Sequence, residues 1–321
     1  MSTTTNAVVG AGSGPDDGPG AGTAPEVLRP RKVARDPSDW SRAFSRRNLA
    51  ATLFAGYVPM ILALVIIALP LLWMVISSFK PASEIVTVNP TFLPTDPTTA
   101  NYAKVAERVP LASAFRNSLI VTVVGATIKV FLAITTAYAL VFIRIPGRNL
   151  IFLGILVALM VPPEAAMLPN YITISTLGGR NTLWGIILPT LGTAFGTFLL
   201  RQQFLTLPPS LLEAAELDGA GHWRRLWQIV VPVTIPTIAT VSLVTVVSEW
   251  NSFLWPLIIT DRPESMTLPV ALNLLQSLES NTGNYGVLMA GAVLVIAPVL
   301  VVFAALQRYI VAGLTQGAVK Q

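Results

Sequence analysis

Cysteine is absent from this 321-residue chain, and histidine occurs once, at His222. The first absence excludes disulfides and thiolate metal sites. The second leaves no histidine-built metal or catalytic centre. Charge is also scarce: Asp, Glu, Lys and Arg make up 12% of the residues, against roughly 25% in a soluble domain. None of the five lysines follows a glycine, so no Walker A pattern is present. Any ATP used by this protein is therefore hydrolysed on another polypeptide. No cofactor is expected in this chain, and no nucleic-acid partner.

Apolar residues fill the space that charge leaves, at 53% of the chain. So much apolar surface implies lipid contact rather than one oversized core. The seven Trp and 25 Pro agree, since both are tolerated or favoured in membrane helices and at their interfaces. Crossing a bilayer core takes roughly 20 apolar helical residues. Six stretches qualify: 53–76, 117–143, 150–168, 181–200, 226–259 and 283–307. The fold class read from the sequence is an all-α integral membrane protein of six transmembrane helices. Residues 1–50 read as a disordered, basic tail, because 1–36 lack aromatics and any apolar period. The domain then runs over 51–310, and 311–321 form a short tail. No signal peptide is visible before the first long apolar run.

Six spans place both termini on one side. The termini, 144–148 and 201–225 share 14 Lys and Arg, whereas the loops 77–116, 169–180 and 260–282 hold 6. The positive-inside tendency therefore predicts cytoplasmic termini.

One loop on that side is too long for a simple connection. Residues 201–232 read RQQFLTLPPSLLEAAELDGAGHWRRLWQIVVP. Pro208 and Pro209 end the fourth span. Ser210 stands three residues before Glu213, the spacing of a capping box. A short helix over 211–217 should close at Asp218-Gly219, with glycine suited to a left-handed position. A second helix over 222–230 should stop before Pro232. Two short helices joined by Gly219-Ala220-Gly221 describe a docking element over 205–232.

This loop resembles the cytoplasmic signature of binding-protein-dependent ABC importer permeases: Glu-Ala-Ala, three residues, Gly, nine residues, Ile, one residue, Leu-Pro. Glu213, Ala214, Ala215, Gly219, Ile229 and Pro232 keep every spacing, and Val231 replaces the usual leucine. The resemblance implies a type I importer transmembrane domain. Its coupling helix would sit in a groove of a separate ATPase, with Glu213, Ala214, Ala215, Asp218 and Gly219 at the contact and its turn. It further implies a homologous second permease, two ATPase copies that hold ATP and Mg, and an extracytoplasmic binding protein. The location implied is the bacterial inner membrane. Over most of 50–321 the chain resembles the carbohydrate-uptake subclass, through AFRNSL at 114–119, RNTLWGIILP at 180–189 and SEWNSFLWPL at 248–257. Segments 194–204 and 299–320 are most similar to the glycerol-3-phosphate (UgpE-type) permeases. Glycerol-3-phosphate or a related glycerophosphodiester is the cargo this implies, with a di- or oligosaccharide as the alternative.

Two charges fall deep within spans. Lys129 lies in a small or polar stripe with Thr122, Gly125 or Ala126, Ala133 and Thr136 at helical spacing. A charge there costs about 3 kcal/mol or more, so it should face protein or water. It either lines the translocation path or pairs with a neighbouring carboxylate or carbonyl. Glu249 and Asn251, with Trp250 as a stacking surface, belong either to the substrate cavity or to helix packing. Glu164 reads as interfacial and His222 as a surface residue. A secondary transporter would instead show paired intramembrane carboxylates or repeated broken helices, and an integral membrane enzyme would show a His/Asp/Glu cluster. Neither pattern is evident by eye.

Overall fold

The computed structural model describes residues 53–87, 91–279 and 283–318. The basic tail expected over 1–50 lies outside them. Among the described residues every regular element is helical, as expected. The chain divides into one unit up to Ala63 and a second from Leu64 onward.

The main helices are α1 (Val58–Ser78), α2 (Ala100–Arg108), α3 (Leu111–Phe142), α4 (Arg148–Leu159), α5 (Met167–Thr176), α6 (Leu183–Ile187), α7 (Ala194–Leu205), α8 (Pro209–Leu217), α9 (His222–Arg225), α10 (Ile235–Trp250), α11 (Leu254–Ile259), α12 (Leu268–Glu279) and α13 (Tyr285–Ala318). α1, α3, the 235–259 pair and 285–305 are each long and apolar enough to cross a membrane. α1 buries only Ser77 and Ser78, as a helix bathed in lipid would. With each bent pair counted as one span, the total reaches six.

Those bent pairs correct two expected straight spans. The predicted span 150–168 breaks after α4, whose 12 residues cover only about 18 Å of a hydrocarbon core near 30 Å. Pro162 stands in extended backbone at the break, and the chain turns by 92° into Pro163–Thr176. The predicted span 181–200 starts at Leu183 instead and bends by 48° between Thr190 and Ala194. Pro189 lacks the N–H that would bond the carbonyl of Gly185. The Trp255 indole N–H fills that place, 3.2 Å from Gly185 O and 3.1 Å from Ile186 O.

Asn181 explains why the span cannot start earlier. Its φ is +60°, the one positive value at a described non-glycine residue. Its side-chain oxygen accepts the N–H groups of Asp261 (2.8 Å) and Arg262 (3.1 Å), and its amide donates to the Asp261 carboxylate. Its own N–H reaches Ile259 O, and its carbonyl accepts from Ser265 Oγ. Asn181 thereby pins the 176–183 turn to the 259–265 turn. Its hydrogen bond holds the Asp261 carboxyl below the usual aspartate range, and Arg180 adds to that. Because the folded value is depressed, this stabilisation is present above the ordinary aspartate pKa of about 3.9. It is lost as pH falls through the folded value. Asn181→Ala should loosen both turns, through left-handed strain of about 1–2 kcal/mol and the loss of three side-chain bonds. Faster proteolysis within 259–265 would show it, and an unchanged cleavage rate would contradict it.

The core lies where α3, α7 and α10 converge. Ala133, Ala137, Leu200 and Val241 are fully buried there. A side chain at Gly196 would come within 3.1 Å of Ala133 Cβ and 3.2 Å of a Val241 methyl. Small residues thus allow close helix approach, the usual device where lipid supplies no hydrophobic drive. At the other end of α3, Asn117 donates to the carbonyls of Glu264 and Met266. α2, α12 and α13 form a second cluster around Val105, Leu275 and Ala290.

Candidate functional site: the 209–234 loop and an intramembrane ion pair

α8 begins differently from the capping-box expectation. Pro208 is the N-cap and Pro209 the first helical residue, with no side-chain cap bond. Ser210 therefore falls inside the helix. With Pro208 as N-cap the N3 position falls to Leu211, which has no side-chain acceptor, so no capping box forms. The fixed φ of proline starts the helix instead.

The C-terminal end closes as the glycine predicted. Gly219 has φ +71°. Its N–H bonds Glu216 O (3.0 Å), and the Ala220 N–H bonds Ala215 O (2.9 Å). This is the paired pattern of a Schellman motif, and Ala215 and Ala220 are both buried under it. Glu213, Ala214, Leu217 and Asp218 face outward, Leu217 being 89% exposed. The signature thus divides between two faces: Ala215 holds the helix to its own chain, whereas Glu213 and Ala214 are displayed. Trp223 adds a second exposed apolar side chain, 64% accessible, beyond the turn.

Two bonds tie this element down. Arg225 pairs with Glu216 across the turn at 3.2 Å. The Tyr138 hydroxyl lies 3.2 Å from His222 Nδ1, linking the loop to the last turns of α3. The sequence reading missed both contacts. Their spacings of 9 and 84 residues match no helical period.

The second loop helix also departs from expectation. Rather than ending before Pro232, α9 passes into a π-helical turn at Leu226–Val230 and continues helically through Val233. The widened turn carries the chain past Pro232, which has no N–H to donate. Thr234 restores the register by donating its N–H to Val230 O and Val231 O and its hydroxyl to Val230 O at 2.7 Å. Val230 is buried, Ile229 half-buried, and Pro232 exposed.

Deep in the bundle, Lys129 of α3 and Glu249 of α10 form an ion pair, with side chains 11% and 9% exposed. Gly125 makes room for it: a Cβ there would lie 3.1 Å from Glu249 Oε2. The stripe around Lys129 packs inward, with Thr122, Ala126 and Ala133 buried and Thr136 half-buried. Trp250 is no open stacking platform. It is 5% exposed, its indole donates to Val295 O at 2.9 Å, and its edge meets Phe115. Asn251 is exposed and donates to Val247 O. Glu164 is exposed in the short helix after the 92° bend. Among the described residues, no three His, Asp or Glu side chains cluster as metal ligands would.

Residues 129–316 match the family described as the binding-protein-dependent transport system inner membrane component. The chain is 34% identical over 254 residues to the arabinooligosaccharides transport system permease protein AraQ of Halalkalibacterium halodurans, covering 78% of this chain and 90% of the relative. It is 32% identical over 268 residues to the sn-glycerol-3-phosphate transport system permease protein UgpE of Brucella suis biovar 1, covering 81% and 95%. Its fold is similar to a chain from a bacterial ABC transporter involved in the import of the acidic polysaccharide alginate. The TM-score is 0.70 at 24% identity, over 83% of this chain and 98% of that one.

Proposed function

The chain belongs to the family of binding-protein-dependent transport system inner membrane components, and from that premise we propose that Pro209–Leu217, with its Gly219 turn, is where a separate ATPase grips it. The coarser function follows from the family and the relatives: this is a membrane-spanning permease subunit of an ABC sugar importer. The observation that carries the finer reading is the divided face of α8. One side is fixed by Ala215 and the Schellman closure, and the other leaves Glu213, Ala214 and Leu217 exposed among the described residues. An exposed leucine beside small residues fits a groove in a partner better than it fits water.

On this reading the loop faces the cytoplasm and both termini lie on that side. Two ATPase copies, carrying ATP and Mg, engage this subunit and a homologous second permease. Their closure moves the paired loops as rigid bodies and turns the cavity from inward- to outward-facing. The Arg225–Glu216 pair and the His222–Tyr138 contact pass the movement to α3, and the π-turn passes it to α10. An extracytoplasmic binding protein delivers the solute.

Two cargo readings have support. Glycerol-3-phosphate or a glycerophosphodiester is favoured by the 32% identity to UgpE over 268 residues. A neutral di- or oligosaccharide is favoured by the Lys129–Glu249 pair, which leaves Lys129 no uncompensated charge for a phosphate. Vanadate-sensitive uptake of glycerol-3-phosphate, glycerophosphocholine and arabinotriose by cells carrying the complex separates the two. The docking reading is tested by copurification: an untagged ATPase should follow the tagged permease, and its absence would overturn the reading.

A further inference from the structure

We propose that the break in the 183–205 span is a solute subsite, one that takes hydroxyl groups of a polyol or sugar as it crosses. The proposal deepens the importer reading and rests on it. The span bends by 48° between Thr190 and Ala194. Beside the break lies a pocket of about 420 Å³ between α3, α4 and α7, lined by Leu132, Thr136, Ile155, Gly192, Thr193 and Thr197 among others.

Two independent features give this pocket unmet hydrogen-bonding capacity. The first is the start of α7, a 12-residue helix whose N-cap, Thr193, makes no side-chain cap bond. Its first N–H groups have no partner within the helix. The second is Thr197, which is 3% exposed and lines the pocket. Threonines in such spans ordinarily turn back on the carbonyl four residues earlier, as Thr135, Thr240 and Thr245 do here. The hydroxyls of Thr197, Thr136 and Thr193 form no such bond among the described residues. Irregular backbone within the hydrocarbon is tolerated where it is buried in protein or lines a water-filled cavity. Broken helices are also where some transporters hold their solutes.

The lining selects the ligand chemistry. Among the described residues, no charged side chain lines the pocket. Hydroxyls that both donate and accept, joined by N–H donors, match the hydroxyl groups of a carbohydrate or polyol. Leu132 and Ile155 suit its C–H faces.

The cysteine-free chain allows a direct test in the assembled complex, reconstituted in vesicles with ATPase and binding protein. Thr136→Cys and Thr197→Cys are labelled with a charged methanethiosulfonate, and Ile67→Cys, on the exposed face of α1, serves as the lipid-facing control. The two pocket cysteines should react about tenfold faster than the control, because their site is wet. Saturating glycerol-3-phosphate or arabinotriose should slow that reaction. Thr136→Val and Thr197→Val should each raise the half-saturation concentration for uptake about three- to tenfold, as expected for one lost hydrogen bond, with the maximal rate unchanged. Cysteines as silent as Ile67→Cys, or labelling that neither solute slows, would overturn the subsite. Failure of the importer reading appears separately, as an ATPase that does not copurify.

Discussion

Glu249→Ala is expected to destabilise the folded subunit by about 3–5 kcal/mol, the usual effect of removing one partner from a buried ion pair. The cost arises because Lys129 would lose its carboxylate in a place that water barely reaches: its side chain is 11% exposed, and Glu249 is its one ion-pair partner among the described residues. Lys129→Met should do comparable damage from the other side. The double variant Lys129→Met/Glu249→Leu should be more stable than either single variant, because apolar replacement of a whole buried pair is often neutral or better. The charge swap Lys129→Glu/Glu249→Lys should recover part of the loss. Thermal unfolding midpoints of the purified complex in detergent provide the measurement. Strictly additive effects of the two single changes would mean that the pair does not couple α3 to α10. Uptake in the double variant then separates the two roles left open by the sequence. Retained transport in a stable double variant makes the pair a packing device, whereas lost transport in an equally stable one puts it in the pathway.

Whatever depends on period and composition was legible beforehand. Helical class, the positions of the apolar stretches, the left-handed turn at Gly219 and the burial penalty on Lys129 all follow from local rules. Three departures from the local rules turn on prolines. Pro208 and Pro209 start α8 in place of the Ser210–Glu213 box. Pro189 contributes to a bend within a span because a tryptophan 66 residues further along the chain, Trp255, supplies the missing donor. Pro232 sits within a helix because the π-turn before it shifts the ladder. A proline's effect depends on what replaces its absent N–H, and the replacement comes from tertiary structure. The same limit applies to the site. The spacing of Glu213, Ala214 and Ala215 identified the loop, but only the fold assigns Ala215 inward and Ala214 outward. Lys129 and Glu249 were each legible as charges deep within a span, but nothing local showed that these two, 120 positions apart, meet. Asn181 was the missed opportunity. An asparagine one residue beyond a Gly-Gly pair, at the edge of an apolar run, carries the signal of a left-handed turn.

On the docking proposed for Pro209–Leu217, Gly219→Val should uncouple the permease from the ATPase while leaving the membrane bundle folded. A Cβ at this position would meet nothing within 4 Å, so the objection to a side chain is purely conformational: φ is +71°. The left-handed conformation costs an ordinary residue about 1–2 kcal/mol, and β-branching raises that further. The strain is relieved most cheaply by giving up the two turn bonds, Gly219 N–H to Glu216 O and Ala220 N–H to Ala215 O. Without them the end of α8 frays, Ala220 leaves its buried place, and the displayed face of Glu213, Ala214 and Leu217 no longer has fixed geometry. The loop reaches the bundle core at Ala133, Leu200 and Val241 through Leu212, Leu226 and Val230, none of which adjoins the turn at Gly219, so the core should hold. The expected result is loss of ATPase copurification and a fall in ATP-driven uptake of about tenfold or more, since misplacing a docking face by about 1.4 kcal/mol already costs a factor of ten. Gly219→Asn supplies the control, because asparagine tolerates the left-handed region better than other side chains and should retain most of the coupling. If Gly219→Val binds the ATPase as tightly as the native chain, the turn does not set the docking geometry.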